Sequence, residues 1–194
     1  MHTHVHMKCY KIQTGKTCTL LPHHHHLLGI DPGTHNGVSI YDTNEDKFVY
    51  SHTFKWWDLN TFLTSLIKSC SENSCTFEVI IEDIIGNKIT FQRGMIFGAI
   101  KSGNPQNIAM AIGIFDKRAQ DVGGNKRDEQ HLLDWFEQES IIVHRVVPKR
   151  GSKTKLNAKQ LKEEAGIISR TSPHTRDSIM LIQNYLTTKI RENQ

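Results

Sequence analysis

The sequence predicts an α/β fold: a five-stranded mixed sheet, its first three strands antiparallel, flanked by helices. Three observations predict it. Short runs of aliphatic, aromatic or β-branched residues, at 27–31, 37–41, 47–54, 79–81 and 141–147, read as strands bounded by turn signals. The first three follow one another with no helical interval, as a meander does. The last two alternate with segments whose apolar residues recur every three or four positions, which places parallel neighbours in the same sheet.

Each element has a local cause. Leu27-Leu-Gly-Ile-Asp31 is an apolar run that ends in an acid and is stopped by Pro32-Gly33, the pattern of a buried strand. The segments 37–41 and 47–54 are joined by the polar turn Asp42-Thr-Asn-Glu-Asp46 and should form a hairpin. Leu59, Phe62, Leu63, Leu66 and Ile67 predict a helix over 59–67. Val79-Ile-Ile81 is the fourth strand, ending at Glu82-Asp83. Gly86, Gly94, Gly98 and Gly103 predict a loop. Helices are predicted over 107–118 and 129–138, with Gly123-Gly124 breaking the pattern between them. The β-branched run 141–147 is a strand stopped by Pro148, and 158–165 is a short helix. Ser172-Pro173 supplies an N-cap and a first-turn proline for a last helix to about residue 189.

The chain has 194 residues, 37% apolar and 23% charged, which suits one ordinary domain and excludes wholesale disorder. No run of ~18 apolar residues is present, so no membrane partner is expected. The N-terminus lacks the apolar core of a signal sequence. Cys9, Cys18, Cys70 and Cys75 are too sparse for a disulfide scaffold and lack close pairs for zinc; they read as reduced thiols in a cytoplasmic compartment. Seven of the 12 His lie in residues 1–26, four of them consecutive, so 1–26 reads as a flexible extension or a tag, with the folded domain at 27–190. Gln13-Thr-Gly-Lys-Thr17 has Tyr10 where a phosphate loop needs glycine, and no nucleotide cofactor is expected.

The net charge of +4 is unevenly spread: residues 140–162 hold seven basic side chains and no acidic one. Packed like charges repel unless a polyanion neutralises them, so the stretch is either a solvated face or a phosphate-contacting stripe.

The acids fall at telling places. Asp31 ends the first strand, Glu82 ends the fourth, and Asp177 lies in the first turns of the last helix with His174 one turn earlier on the same face. Strand ends at the carboxyl edge are where such sheets bind ligands. One acid there is usually a cap or a surface residue. Three, each beside strongly apolar sequence, call for something positive, because buried carboxylates are costly alone. Oxygen ligands with one imidazole and no thiolate suit Mg²⁺ or Mn²⁺. Two such ions ~3.5–4 Å apart can activate water and stabilise the leaving oxygen of a phosphodiester. Asp83 is a rival to Glu82.

Leu27-Leu-Gly-Ile-Asp-Pro-Gly-Thr-His-Asn-Gly-Val-Ser-Ile40, Val79-Ile-Ile-Glu-Asp83, Asn107-Ile-Ala-Met-Ala-Ile-Gly113, Lys153-Thr-Lys-Leu-Asn-Ala158 and Pro173-His-Thr-Arg-Asp-Ser-Ile-Met-Leu181 occur in that order. Together they resemble the RuvC-type Holliday junction resolvases, their phage and viral relatives more than the bacterial housekeeping enzyme, over about residues 27–186. The first and last motifs are specific; the middle one is generic. The resemblance implies a ribonuclease H-like fold, in agreement with the segment order. It implies that Asp31 bridges two Mg²⁺ ions, with Mn²⁺ able to substitute. Glu82 and Asp177 would bind them, and His174 would bind a metal or position the water. Lys155, with Lys153, would act at the scissile phosphate, and Lys149, Arg150 and Lys159 would extend the DNA contact. The implied activity is a Mg-dependent crossover junction endodeoxyribonuclease. It would make symmetric paired nicks in four-way junctions as a homodimer, in the cytoplasm or on the nucleoid, or in an infected cell for a phage- or virus-borne member. The stripe Ile108, Ala111, Ile112 and Phe115 is the candidate dimer surface.

The sequence departs from the bacterial pattern in three ways. The loop after Glu82 is longer, with Ile85, and Phe91 further on, where a junction-wedging aromatic is expected. Residues 123–128 look inserted, and residues 1–26 have no counterpart. Three alternatives stand. A flap or branched-DNA endonuclease, or a ribonuclease H, would share the acids. An actin-like or sugar-kinase ATPase is suggested by Gly29-Ile-Asp-Pro-Gly-Thr34, but needs a second copy of the fold. A catalytically dead DNA-binding module has no use for clustered carboxylates, which repel without metal.

Overall fold

The computed structural model describes residues 11–86, 93–147 and 156–192. Strands β1 (His25–Asp31), β2 (Asn36–Asp42), β3 (Lys47–Phe54), β4 (Thr76–Glu82) and β5 (Val143–Val146) form one sheet in the order β3-β2-β1-β4-β5. β1 pairs antiparallel with β2, and β2 with β3; β1 and β4 are parallel, as are β4 and β5. This is the mixed α/β sheet expected from the sequence, with the strand order and directions of a ribonuclease H-like fold.

Helices cover both faces, which is why the strands read as continuous apolar runs. On one face Leu28, Ile30, Val79 and Ile81 pack with Leu59, Phe62, Leu63 and Leu66 of α1 (Trp56–Asn73) and with Leu132 and Phe136 of α3 (Pro105–Gln138). On the other, Leu27 and Ile80 pack with Leu161 and Ala165 of α4 (Ala158–Ala165) and with Ile179, Leu181 and Ile182 of α5 (Pro173–Glu192). Helix ends follow local chemistry. α1 stops at Ser74, which takes a left-handed conformation. The Asn157 and Gln160 side chains form a reciprocal capping box on α4. The Ser172 hydroxyl accepts the Thr175 N–H at the start of α5.

Three expectations are corrected. Residues 107–118 and 129–138 are parts of one helix, α3, which runs through Gly123-Gly124. Each glycine in a helix weakens it by about 1 kcal/mol, but Ala111 near one end and Leu132 and Phe136 near the other are buried and hold the helix across the gap. Second, part of the glycine-rich loop is helical, as α2 (Arg93–Lys101), which packs on α3. Gly103, at positive φ, makes the turn between them, and the Asn104 side chain caps α3. Third, residues 11–26 are not a loose appendage. Ile12 and Leu20 are buried, Gln13 bridges to Tyr50 on the outer edge of β3, and β1 begins at His25. An uncovered edge strand is open to foreign pairing, and this segment closes part of it. Among the described residues no helix is long and apolar enough to cross a membrane.

Candidate active site

Strand alternation decides which acids share a face. On β1, Asp31 lies on the same side as Leu27 and Gly29, the side covered by α5. On β4, Glu82 lies on the same side as Ile80, again toward α5. β1 and β4 are parallel with Ile30 beside Ile81, so Asp31 and Glu82 follow as neighbours at the carboxyl edge.

Two glycines bring α5 down onto that edge. A Cβ on Gly37 would stand 2.0 Å from the His174 carbonyl oxygen, and one on Gly29 would stand 2.5 Å from that of Ser178. Both obstacles are backbone and cannot swing aside. Gly37 is the cross-strand partner of Asp31, so the contact sets His174 over Asp31, with Nδ1 3.2 Å from Oδ2. Asp177, one turn further along α5, is half-buried and acts on Glu82.

The electrostatics follow. The Glu82 carboxyl is pushed up from 4.5 to about 8. Burial is the largest cause; repulsion by Asp31, a hydrogen bond with Asp31 and repulsion by Asp177 and Glu129 add to it. Only a protonated carboxyl can donate that hydrogen bond, so at neutral pH Glu82 holds a proton where the site would otherwise carry another negative charge. Among the described residues no three His, Cys, Asp or Glu side chains have donor atoms gathered closely enough to hold an ion. Asp31, Glu82 and Asp177 share one field without forming a closed coordination shell. Oxygen donors with one imidazole and no thiolate are the ligand chemistry that suits Mg²⁺ or Mn²⁺.

Asp83 points to the other face. Its carboxylate pairs with Arg145 of β5 and accepts the Gly86 N–H at 2.8 Å. Strand pairing continues past β4, since the Asp83 N–H donates to the Val146 carbonyl at 2.9 Å, and alternation therefore still holds there.

Two residues here were not singled out from sequence as parts of the site. Glu129 of α3 is fully buried and accepts the N–H groups of Ile84 (2.9 Å) and Ile85 (2.8 Å). Its other oxygen takes Arg145 Nη2 at 3.1 Å. The signal was present: Glu129 shares helical spacing with Leu132 and Phe136, and an acid on a core-facing stripe needs partners. His35, exposed beside the first strand's turn, stacks on His174 with ring centroids 6.0 Å apart.

The basic residues are less visible. Lys149, Arg150, Lys153 and Lys155 lie outside the described residues. Lys159 is exposed on α4, 4.0 Å from Glu163. Of the apolar stripe expected for dimerisation, Ala111 is buried, Ile108 and Phe115 are half-buried and Ile112 is exposed; Met110 and Ile114 of α3 and Phe97 and Ile100 of α2 are exposed apolar residues beside it.

No family model matches the chain, and no curated protein matches it significantly. Among solved structures it is similar to T. thermophilus RuvC in complex with a Holliday junction substrate. The identity is 13%, the match covers 81% of this chain and 90% of that one, and the TM-score is 0.43. An overlap of that size licenses no transfer of residues; the fold rests on strand order and direction, and the site on the side chains just described.

Proposed function

We propose that the chain is a metal-dependent endonuclease of branched DNA, a RuvC-type resolvase that opens four-way junctions by symmetric paired nicks. One observation supports this reading: Asp31, Glu82, Asp177 and His174, from three distant segments, face the same carboxyl edge, where His174 bonds Asp31 while Asp31 and Asp177 push the Glu82 carboxyl up. Asp31, Glu82 and Asp177 would hold two Mg²⁺ ions. When bound, the metal supplies Lewis-acid chemistry for water attack on a phosphodiester. Asp31 orients the His174 ring through Nδ1, leaving Nε2 of this half-exposed side chain to position a water or take up its proton. Lys153 and Lys155 would hold the scissile phosphate, and Lys149, Arg150 and Lys159 the neighbouring backbone. A two-fold substrate asks for two identical active sites, and the exposed Met110, Ile112 and Ile114 with Phe97 and Ile100 would join two copies.

The test is direct. A synthetic four-way junction, a flap and an RNA–DNA hybrid are incubated side by side with Mg²⁺. Paired nicks in the junction alone support the reading; cleavage of only the flap or only the hybrid reassigns the substrate, and no cleavage of any removes the nuclease reading. Asp31→Asn should abolish cutting while junction binding persists; equal loss of both would make Asp31 a folding residue.

A further inference from the structure

We propose that Glu129 is a positioning residue for Glu82, acting from α3 on the chain that leaves β4. The inference rests on the metal-dependent reading above and deepens it. Sheet hydrogen bonding ends at Asp83, whose N–H is the last to reach β5. From there Glu129 takes over. One of its oxygens accepts two successive backbone N–H groups, those of Ile84 and Ile85, while the other takes Arg145, which also holds Asp83.

Neighbours on α3 complete the grip. Lys126 Nζ reaches the Ile85 carbonyl at 3.4 Å. The Asn125 amide lies 3.6 Å from where a Cβ on Gly33 would stand, in the turn that follows Asp31. One stretch of α3 therefore touches the chain just after Glu82 and lies close to the turn that follows Asp31. A buried carboxylate that receives two adjacent amides fixes the turn carrying them, and that turn begins two residues after Glu82. Without it, the Ile85 N–H loses its acceptor, the Ile84 N–H keeps only the Glu82 carbonyl at 3.1 Å, and Arg145 loses a partner, so the turn should move and Glu82 shift relative to Asp31. Groups that orient a metal ligand typically change metal affinity 10- to 100-fold when removed.

The experiment compares the full-length wild type, D31N, E129A and E129Q. Mn²⁺ is titrated calorimetrically at a temperature where circular dichroism shows each protein folded, and melting without metal is measured in parallel. D31N should lose Mn²⁺ uptake. E129A should bind Mn²⁺ about tenfold or more weakly. E129Q, which can still present an oxygen to the two amides, should recover part of that loss. Wild-type affinity in folded E129A and E129Q, with D31N deficient, overturns the positioning role whatever their melting temperatures, and leaves the metal site standing. If E129A does not fold, E129Q decides: weakened uptake supports the proposal and unchanged uptake overturns it. A wild type that takes up no Mn²⁺ overturns the metal reading itself.

Discussion

Replacing Glu82 with glutamine should stabilise the metal-free protein, by an amount that grows with pH. Burial and the neighbouring carboxylates raise the Glu82 carboxyl from 4.5 to about 8. Below the lower value Glu82 is protonated in both the folded and unfolded chain, so its ionisation contributes nothing. Between the two values the folded chain keeps the proton that the unfolded chain has lost, and stability falls by about 1.36 kcal/mol for each pH unit. Above the higher value both are ionised and the full penalty, at most roughly 4–5 kcal/mol, is present. Water reaches this half-buried side chain and weakens the repulsion, so about 2 kcal/mol is the working figure at pH 8. In a chain of this size 1 kcal/mol moves the melting temperature by about 2–4 °C. E82Q should therefore melt roughly 4–8 °C above the wild type at pH 8 in EDTA, and level with it near pH 4.5. Mg²⁺ should narrow or reverse the gap, because only the carboxylate can bind it. Differential scanning calorimetry across that range checks this. An E82Q protein that melts level with or below the wild type at every pH would place Glu82 outside the field of Asp31 and Asp177.

Metal uptake should itself depend on pH. Since Glu82 must lose its proton to bind a cation, Mn²⁺ affinity should rise by up to about tenfold per unit below pH 8 and level off above it. Calorimetry in buffers of different ionisation enthalpy should find close to one proton released at neutral pH; none released would contradict it. Gly37→Ala should destabilise the fold by about 3 kcal/mol, because the new methyl meets backbone of α5. It should also weaken Mn²⁺ uptake by displacing His174 and Asp177, and an unchanged urea midpoint would refute the close packing. Gly123→Ala should do the opposite. Nothing lies within 4 Å of the added Cβ, so the helix gains about 0.5–1 kcal/mol, read as a higher urea midpoint with unchanged Mn²⁺ affinity.

Much of the fold was legible because the sheet is covered on both faces. Full coverage turns strands into unbroken apolar runs such as Leu27-Leu-Gly-Ile and Val79-Ile-Ile, and an acid at the end of such a run stands out. Ser172-Pro173 was equally plain, since it combines a side-chain cap with a residue that needs no N–H. The length of α3 was not legible. Two adjacent glycines are a strong local signal for a break, and what overrides them is burial at Ala111 and at Leu132 and Phe136, far apart on the helix. The N-terminal segment misled for a related reason: its histidines dominate the composition, while Ile12 and Leu20, which anchor it, look ordinary in sequence.

The choice between Glu82 and Asp83 shows where local reasoning runs out and what replaces it. At a strand end, alternation from sequence cannot say which of two adjacent acids faces the site, because the strand could stop before either. The structure extends pairing to Asp83, and that one backbone bond to Val146 carries alternation through both residues. Glu82 then faces Asp31 and Asp177, and Asp83 faces Arg145 and Glu129. The two acids are thereby given opposite electrostatic surroundings. Asp83 has a guanidinium beside it, whereas Asp31, Asp177 and Glu129 all repel charge on Glu82 and raise its carboxyl. A site that needs a divalent ion requires the second environment, and a loop that must be held still requires the first. One strand end supplies both by alternation alone.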